Sequence, residues 1–156
     1  MYLSYASMYH MTTYRAYFFT NMYLSGIHTG IQGGHALDQM WLKYTNPKNP
    51  QPEKLESLRT FSKRHKTFIM LTGGEHQHLV RLHKSLNKLK FPFEKFVEPG
   101  LNNACTAVCV VLPSCMYDSV AKAAGRGETS EAITARNYTS AELKFLKYMN
   151  GCGLAK

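Results

Sequence analysis

An aromatic, β-rich run, Tyr14-Arg15-Ala16-Tyr17-Phe18-Phe19-Thr20, leads within a few residues into Gly26-Ile27-His28-Thr29-Gly30-Ile31-Gln32-Gly33-Gly34-His35-Ala36. This pairing constrains the chain more than any other feature. A strand that is apolar at nearly every position cannot leave one face in water, so it is read as a buried strand. The glycine-rich turn after it opens a helix over 28–44. A strand feeding such a helix start is a common way to build an anion site, because the first N–H groups lack partners and carry about half a positive charge. His28, Gln32 and His35 recur at spacings of four and three, which places them in one stripe of that helix. A stripe of His, Gln and His makes a poor core and a good site.

The remaining pattern continues the alternation. Asn46-Pro47-Lys48-Asn49-Pro50-Gln51-Pro52 is a loop that no helix crosses. Glu53 to Arg64 reads as a helix with Leu55, Leu58 and Phe61 on its inner side. Lys66 to Thr72 reads as a second strand closed by Gly73-Gly74. Glu75 to Leu89 reads as a helix with Leu79, Leu82, Leu86 and Leu89 inside and Arg81, Lys84 and Lys88 outside. Phe93 to Val97 and Cys105 to Leu112 read as two strands joined by the turn Glu98-Pro99-Gly100, hence antiparallel neighbours. Met116 to Ala124 reads as a helix and Gly125 to Asn137 as a polar loop. Thr139-Ser140-Ala141-Glu142 is a capping-box signature opening a last amphipathic helix to about Met149. The expected fold class is α/β, a small mixed four-stranded sheet with helices on both faces. The organisation is an extension over 1–12, a main domain over 13–124, and a loop plus amphipathic helix over 125–156.

Composition narrows the functional classes. A chain of 156 residues with 44% hydrophobic content supports one core-bearing domain. Its longest apolar run, Ala107 to Leu112, is strand length, far below the roughly 18 residues of a membrane span. The Tyr- and Ser-rich stretch from Met1 to Met11 lacks the basic start and apolar segment of a secretory signal, and Met8 and Met11 would serve as later starts. The four cysteines form no C-x-x-C pair. Cys105 and Cys109 are expected to share one strand face as buried thiols, which fits a reducing, cytoplasmic compartment. The net charge of +9 favours anionic partners. Lys63, Arg64 and Lys66, with Arg81, Lys84 and Lys88, are the candidate phosphate contacts, but no aromatic residues interleave with them for base reading. Gly26, Gly30 and Gly34 are expected to bring the first helix close to the sheet or to a second subunit. They are not a dinucleotide fingerprint, because the G-x-G-x-x-G spacing is absent. His76, His78 and His83 read as a solvated helix face, without the carboxylate or cysteine that would complete a metal set.

The first strand, the G-x-x-x-G-I-Q-x-x-H-A helix start, the strand Thr67 to Leu71 and the Glu98-Pro99-Gly100…Thr106-Ala107 segment together resemble type-2 peptidyl-tRNA hydrolases, including divergent forms carried by bacteriophages. The resemblance covers roughly Tyr14 to Ala124. It implies hydrolysis of the ester between peptide and tRNA with no metal and no cofactor. It places the family's glutamine on Gln32, its helix histidine on His35, its lysine on His28, its aspartate on Glu98 and its two threonines on Asn102 and Thr106. His for Lys, Glu for Asp and Asn for Thr are departures from the family pattern. The resemblance implies catalytic work for His28, Gln32, Glu98, Asn102 and Thr106, with His35 beside them as a ligand contact.

Three functions from different classes follow. One is a peptidyl-tRNA hydrolase whose partner is tRNA. Another is a non-catalytic binder of a small phosphorylated nucleotide, such as a phage anti-defence protein that sequesters a cyclic nucleotide signal. A third is an interaction module using the C-terminal helix. That helix is also expected to dock on a twin chain and make a homodimer, since a lone amphipathic helix must bury its apolar face somewhere.

Overall fold

The computed structural model describes residues 12–117 and 138–156. Residues 1–11 of the expected extension over 1–12, most of the expected helix over 116–124 and the polar loop over 125–137 lie outside the described residues. Four strands, β1 (Tyr14–Asn21), β2 (Thr67–Gly74), β3 (Phe93–Glu98) and β4 (Ala104–Pro113), form one mixed sheet in the order β2-β1-β4-β3. β1 pairs parallel with β2, while β4 runs antiparallel to both β1 and β3. The C-terminal ends of β1, β2 and β3 therefore share one end of the sheet with the start of β4.

The alternation of β1 divides the core into two layers. Ala16 and Phe18 pack with Ala36, Met40 and Tyr44 of α1 (Gly26–Tyr44) and Leu58 of α2 (Pro52–Thr60). Tyr17 and Phe19 point the other way, toward Leu79, Leu82 and Leu86 of α3 (His76–Leu86) and Phe145, Leu146 and Met149 of α4 (Ser140–Gly151). Helices thus cover both faces, as the apolar strand required. α2 opens with Pro52 in its first turn, where the missing N–H costs nothing. It ends in a π-helical turn, Phe61–His65, closed by Lys66 in a left-handed conformation at φ +53°. α4 carries the full capping box: Thr139 Oγ1 accepts the Glu142 N–H at 3.1 Å, and the Glu142 carboxylate accepts the Thr139 N–H at 2.9 Å.

Several expectations need correction. α4 does not reach away from its own core. Phe145 packs edge-on to Phe19 at 6.0 Å between ring centres, and the Tyr148 hydroxyl donates to the Gly73 carbonyl at 2.6 Å. The homodimer expectation rested on an unburied helix face, and that ground is gone. The chain beyond α4 returns along the outer edge of β2, with Gly153 O accepting from Thr72 N–H and Ala155 N–H donating to Met70 O. This covers an edge that would otherwise offer unpaired backbone groups.

The close approach of α1 to the sheet belongs to Gly33 rather than to Gly30 or Gly34. A Cβ on Gly33 would lie 2.8 Å from Met70 Cε and 3.1 Å from Phe18 Cδ1, whereas Gly30 and Gly34 face open space. Cys105 and Cys109 do not share a face. A β-bulge leaves Thr106 unpaired, with Phe96 opposite Ala107 and Val97 opposite Cys105, so the alternation flips there. Cys105 joins the α3/α4 layer and Cys109 the α1/α2 layer. Burial pushes both thiols up, Cys105 to about 11, which makes them inert core residues.

His76 and His83 are not a solvated face. His76 Nδ1 accepts the Cys105 N–H at 2.8 Å. His83 Nε2 meets Glu94 Oε1 at 2.7 Å, and Lys43 reaches Glu94 Oε2 at 3.1 Å. This clasp ties α3 and α1 to opposite sides of the edge strand β3. Burial alone would raise the Glu94 carboxyl, but hydrogen bonds from His83, the Lys95 N–H and Lys43 outweigh it and bring it down to about 2. A carboxyl depressed on folding contributes stability that is full above its unfolded value of 4.5 and is lost as pH falls toward 2. Chemical denaturation of the native chain and of Glu94→Gln between pH 7 and pH 2 is expected to show a stability gap of up to about 3 kcal/mol that closes across that window. A gap that stays constant with pH would show that the clasp is not electrostatic.

Candidate functional site

The site stands at the strand ends where α1 begins. Asn21 closes β1 and its amide donates to the Cys105 carbonyl at 3.3 Å, which fixes the turn into α1. Ser25 is the residue before the helix, but its hydroxyl does not cap it. It pairs instead with His28 Nδ1 at 2.8 Å. The N–H groups of Gly26, Ile27 and His28 take no hydrogen bond among the described residues. One turn further, Gln32 is buried at 6% exposure.

Its carboxamide is fixed at both ends. Gln32 Nε2 donates to Glu98 Oε2 at 2.9 Å, and Gln32 Oε1 accepts from the Thr106 hydroxyl at 2.6 Å. The amide orientation is unambiguous, because an ionised carboxylate only accepts and the other end must then receive the hydroxyl proton. Glu98 Oε1 in turn accepts the Gly100 N–H at 3.1 Å. The Gln32 and Gly100 hydrogen bonds hold the Glu98 carboxyl below the usual carboxylate range, and the nearby His35 adds to this. A cleft of about 420 Å³ is lined by Tyr23, Ser25, His28, Gln32, Glu98 and Leu101, among others.

The bulge explains the reach of Thr106. In a regular strand, alternation would turn Thr106 and its neighbour Ala107 to opposite faces. With the extra residue, both point toward α1, and the Thr106 hydroxyl lands on Gln32. Thr106 is 1% exposed, so its loss leaves a buried acceptor without its donor. Thr106→Val is expected to cost about 1–3 kcal/mol in urea denaturation with an unchanged m-value. A cost near zero would show that the Gln32 amide does not depend on that hydroxyl.

His28, Gln32 and Glu98 thus line one cleft, with Thr106 beneath them. His35 lies alongside, exposed and stacked on Phe96 at 4.6 Å between ring centres. Asn102 stands apart. It is exposed in the left-handed region at φ +53°, a conformation asparagine tolerates, and the cleft lining ends at Leu101. Its backbone shapes the turn into β4, and its side chain does not line the cleft.

The basic residues do not join the cleft. Lys63, Arg64 and Lys66 precede the first residue of β2, while the cleft lies past its last. The eight residues of that strand put about 25 Å between the two ends. Arg81 and Lys84 sit on α3 and Lys88 in the turn just past its end, across the sheet from α1. Sequence reasoning missed Ser25, Tyr23 and Leu101. A serine immediately before a glycine-rich helix start was the available signal for Ser25; nothing local marked the other two. No group of three or more His, Cys, Asp or Glu side chains among the described residues is arranged to hold a metal, and no described helix is long and apolar enough to cross a membrane.

Fold and site together define a mixed α/β protein with a carboxylate, a clamped carboxamide and a histidine in one cleft at the strand ends. A comparison with known protein families finds no match, and neither does one with curated proteins.

Proposed function

We propose that this chain is a type-2 peptidyl-tRNA hydrolase-like protein that hydrolyses the ester between a peptide and tRNA without a metal. The observation that carries this reading is the Gln32 carboxamide held between Glu98 and Thr106 beside the opening turn of α1. Ester hydrolysis needs an oriented water, a place for the developing oxyanion and a proton for the leaving oxygen. Glu98, kept ionised, orients the water through its remaining lone pairs. The opening turn of α1 meets the cleft at Ser25 and His28, so the positive end of the helix dipole favours the negative charge that develops there. His28, with Nδ1 turned to Ser25, has Nε2 free to take the proton of the attacking water and pass it to the ribose oxygen as the carbonyl–oxygen bond breaks. Gln32 holds the carboxylate in place and does not itself touch the reacting atoms.

A second reading has a specific observation in its favour. Both Glu98 oxygens already accept a hydrogen bond, and a carboxyl held low is a weak base. The same cleft then holds a phosphorylated nucleotide without turning it over, with the exposed Tyr23 as a stacking surface for a base and the start of α1 for a phosphate. A phage anti-defence protein that sequesters a cyclic nucleotide signal is one such protein.

One experiment separates the two. The purified chain is mixed with an N-blocked aminoacyl-tRNA and, separately, with cyclic dinucleotides. Release of the blocked amino acid above the spontaneous rate supports the hydrolase. Recovery of an intact nucleotide after denaturation, with no deacylation, supports the binder. The absence of both deacylation and nucleotide recovery would sink both readings of this cleft.

A further inference from the structure

The groove between α3 and α4 lies outside the cleft, on the other face of the sheet. Its volume is about 330 Å³, and Leu82 and Phe145 form its apolar floor. Arg81 of α3, Lys88 in the turn after it and Lys144 of α4 stand around it, joined by His78. None of these three permanent cations makes an ion pair among the described residues. The nearby carboxylates are occupied: Glu75 faces His78 at 3.9 Å, and Glu142 accepts the Thr139 N–H. Elsewhere the chain does neutralise a half-buried lysine, since Lys43 is paired with Glu94. Three like charges around one concavity repel one another and create a field that draws an anion.

The start of α4 adds to that field. Ser140 and Ala141 line the groove. The capping box serves the Glu142 N–H, and the Leu143 N–H bonds to the Thr139 carbonyl. The Ser140 and Ala141 N–H groups are left without a partner among the described residues. The groove therefore offers permanent cations, two free N–H groups and an apolar floor in a volume at the small end of ligand pockets, which run from about 300 Å³ upward.

We propose that the α3–α4 groove is a second ligand site, which binds the phosphate of a small phosphate monoester and packs its planar or apolar body on Leu82 and Phe145. Lys88, from the turn after α3, and Lys144, from α4, close on the phosphate. Arg81 supplies a fork that suits two phosphate oxygens. The site does not depend on what the cleft does.

Adenosine 5′-monophosphate is the probe, titrated into the intact chain at low salt by calorimetry, with adenosine and inorganic phosphate as separate arms. The expected result is saturable binding of the monophosphate with adenosine and inorganic phosphate each at least about tenfold weaker. Lys88→Ala combined with Lys144→Ala is expected to weaken binding by about tenfold or more, because each removes one charge-assisted contact. Both lysines are exposed, so the fold tolerates the change. Glu98→Gln, in the cleft, is expected to leave the affinity unchanged. Equal binding of adenosine and its monophosphate overturns the phosphate assignment. Equal binding of inorganic phosphate overturns the role given to Leu82 and Phe145. An unchanged affinity in the double variant, or a loss confined to Glu98→Gln, places the ligand elsewhere and overturns the site.

Discussion

Glu98→Gln is expected to lower deacylation of an N-blocked aminoacyl-tRNA by roughly 100- to 10,000-fold, the range that a positioned acid–base group contributes. The substitution keeps the side-chain length and shape. It removes the charge that holds a water and reverses one hydrogen bond, because an amide in place of the carboxylate presents its own N–H₂ to either Gln32 or Gly100. Gln32 has no freedom to adapt, since its Oε1 is held by Thr106. Gln32→Ala tests the positioning role separately. It is expected to slow the reaction by about 100-fold, as a misplacement of about 1 Å does, without changing which groups titrate in the pH–rate profile. If Glu98→Gln deacylates as fast as the native chain, the cleft does not work through this carboxylate and the hydrolase reading is lost. If neither the native chain nor the variant deacylates and both retain nucleotides intact, the binder stands.

Phe145→Ala is expected to destabilise the chain by about 3–5 kcal/mol, the cost of truncating a large aromatic side chain in a close-packed core. Phe145 is 3% exposed and sits against Phe19, which has no exposed surface. The cavity would open in the layer that also holds Leu79, Leu82 and Met149. For a chain of this size the thermal midpoint should fall by on the order of 10 °C. The m-value should stay the same, since the same surface is exposed on unfolding. A cost below about 1 kcal/mol would mean that α4 does not dock on its own sheet. A midpoint that then rose with protein concentration would point to docking on a second copy.

Much of the fold was legible in the sequence because its signals are local. The nearly continuous apolar run of β1 required cover on both faces, and the structure supplies α1 and α2 on one side and α3 and α4 on the other. The inner stripe Leu79, Leu82, Leu86 and Leu89 is buried as its spacing required, although the helix itself stops at Leu86. Thr139 and Glu142 form the capping box that their spacing announced. The stripe of His28 and Gln32 also faced the turn at Glu98, because the end of β1 and the end of β3 lie at the same end of the sheet.

The rest depended on contacts between residues far apart in the chain. No local pattern reveals a bulge, since the extra residue is defined only by the partner strand. The bulge at Thr106 nonetheless decides that Cys105 and Cys109 face opposite layers and that the Thr106 hydroxyl reaches Gln32. Charge clusters likewise have no direction in a sequence. Lys63, Arg64 and Lys66 read as neighbours of a phosphate site, yet β2 carries them to the far end of the sheet. Arg81 and Lys88 read as an outer face, yet α4 folds down beside them and turns that face into the wall of a groove. An amphipathic helix states only that it must bury one side. The sheet it covers is chosen by the shape of the surface left open, here the layer around Phe19 and Leu79.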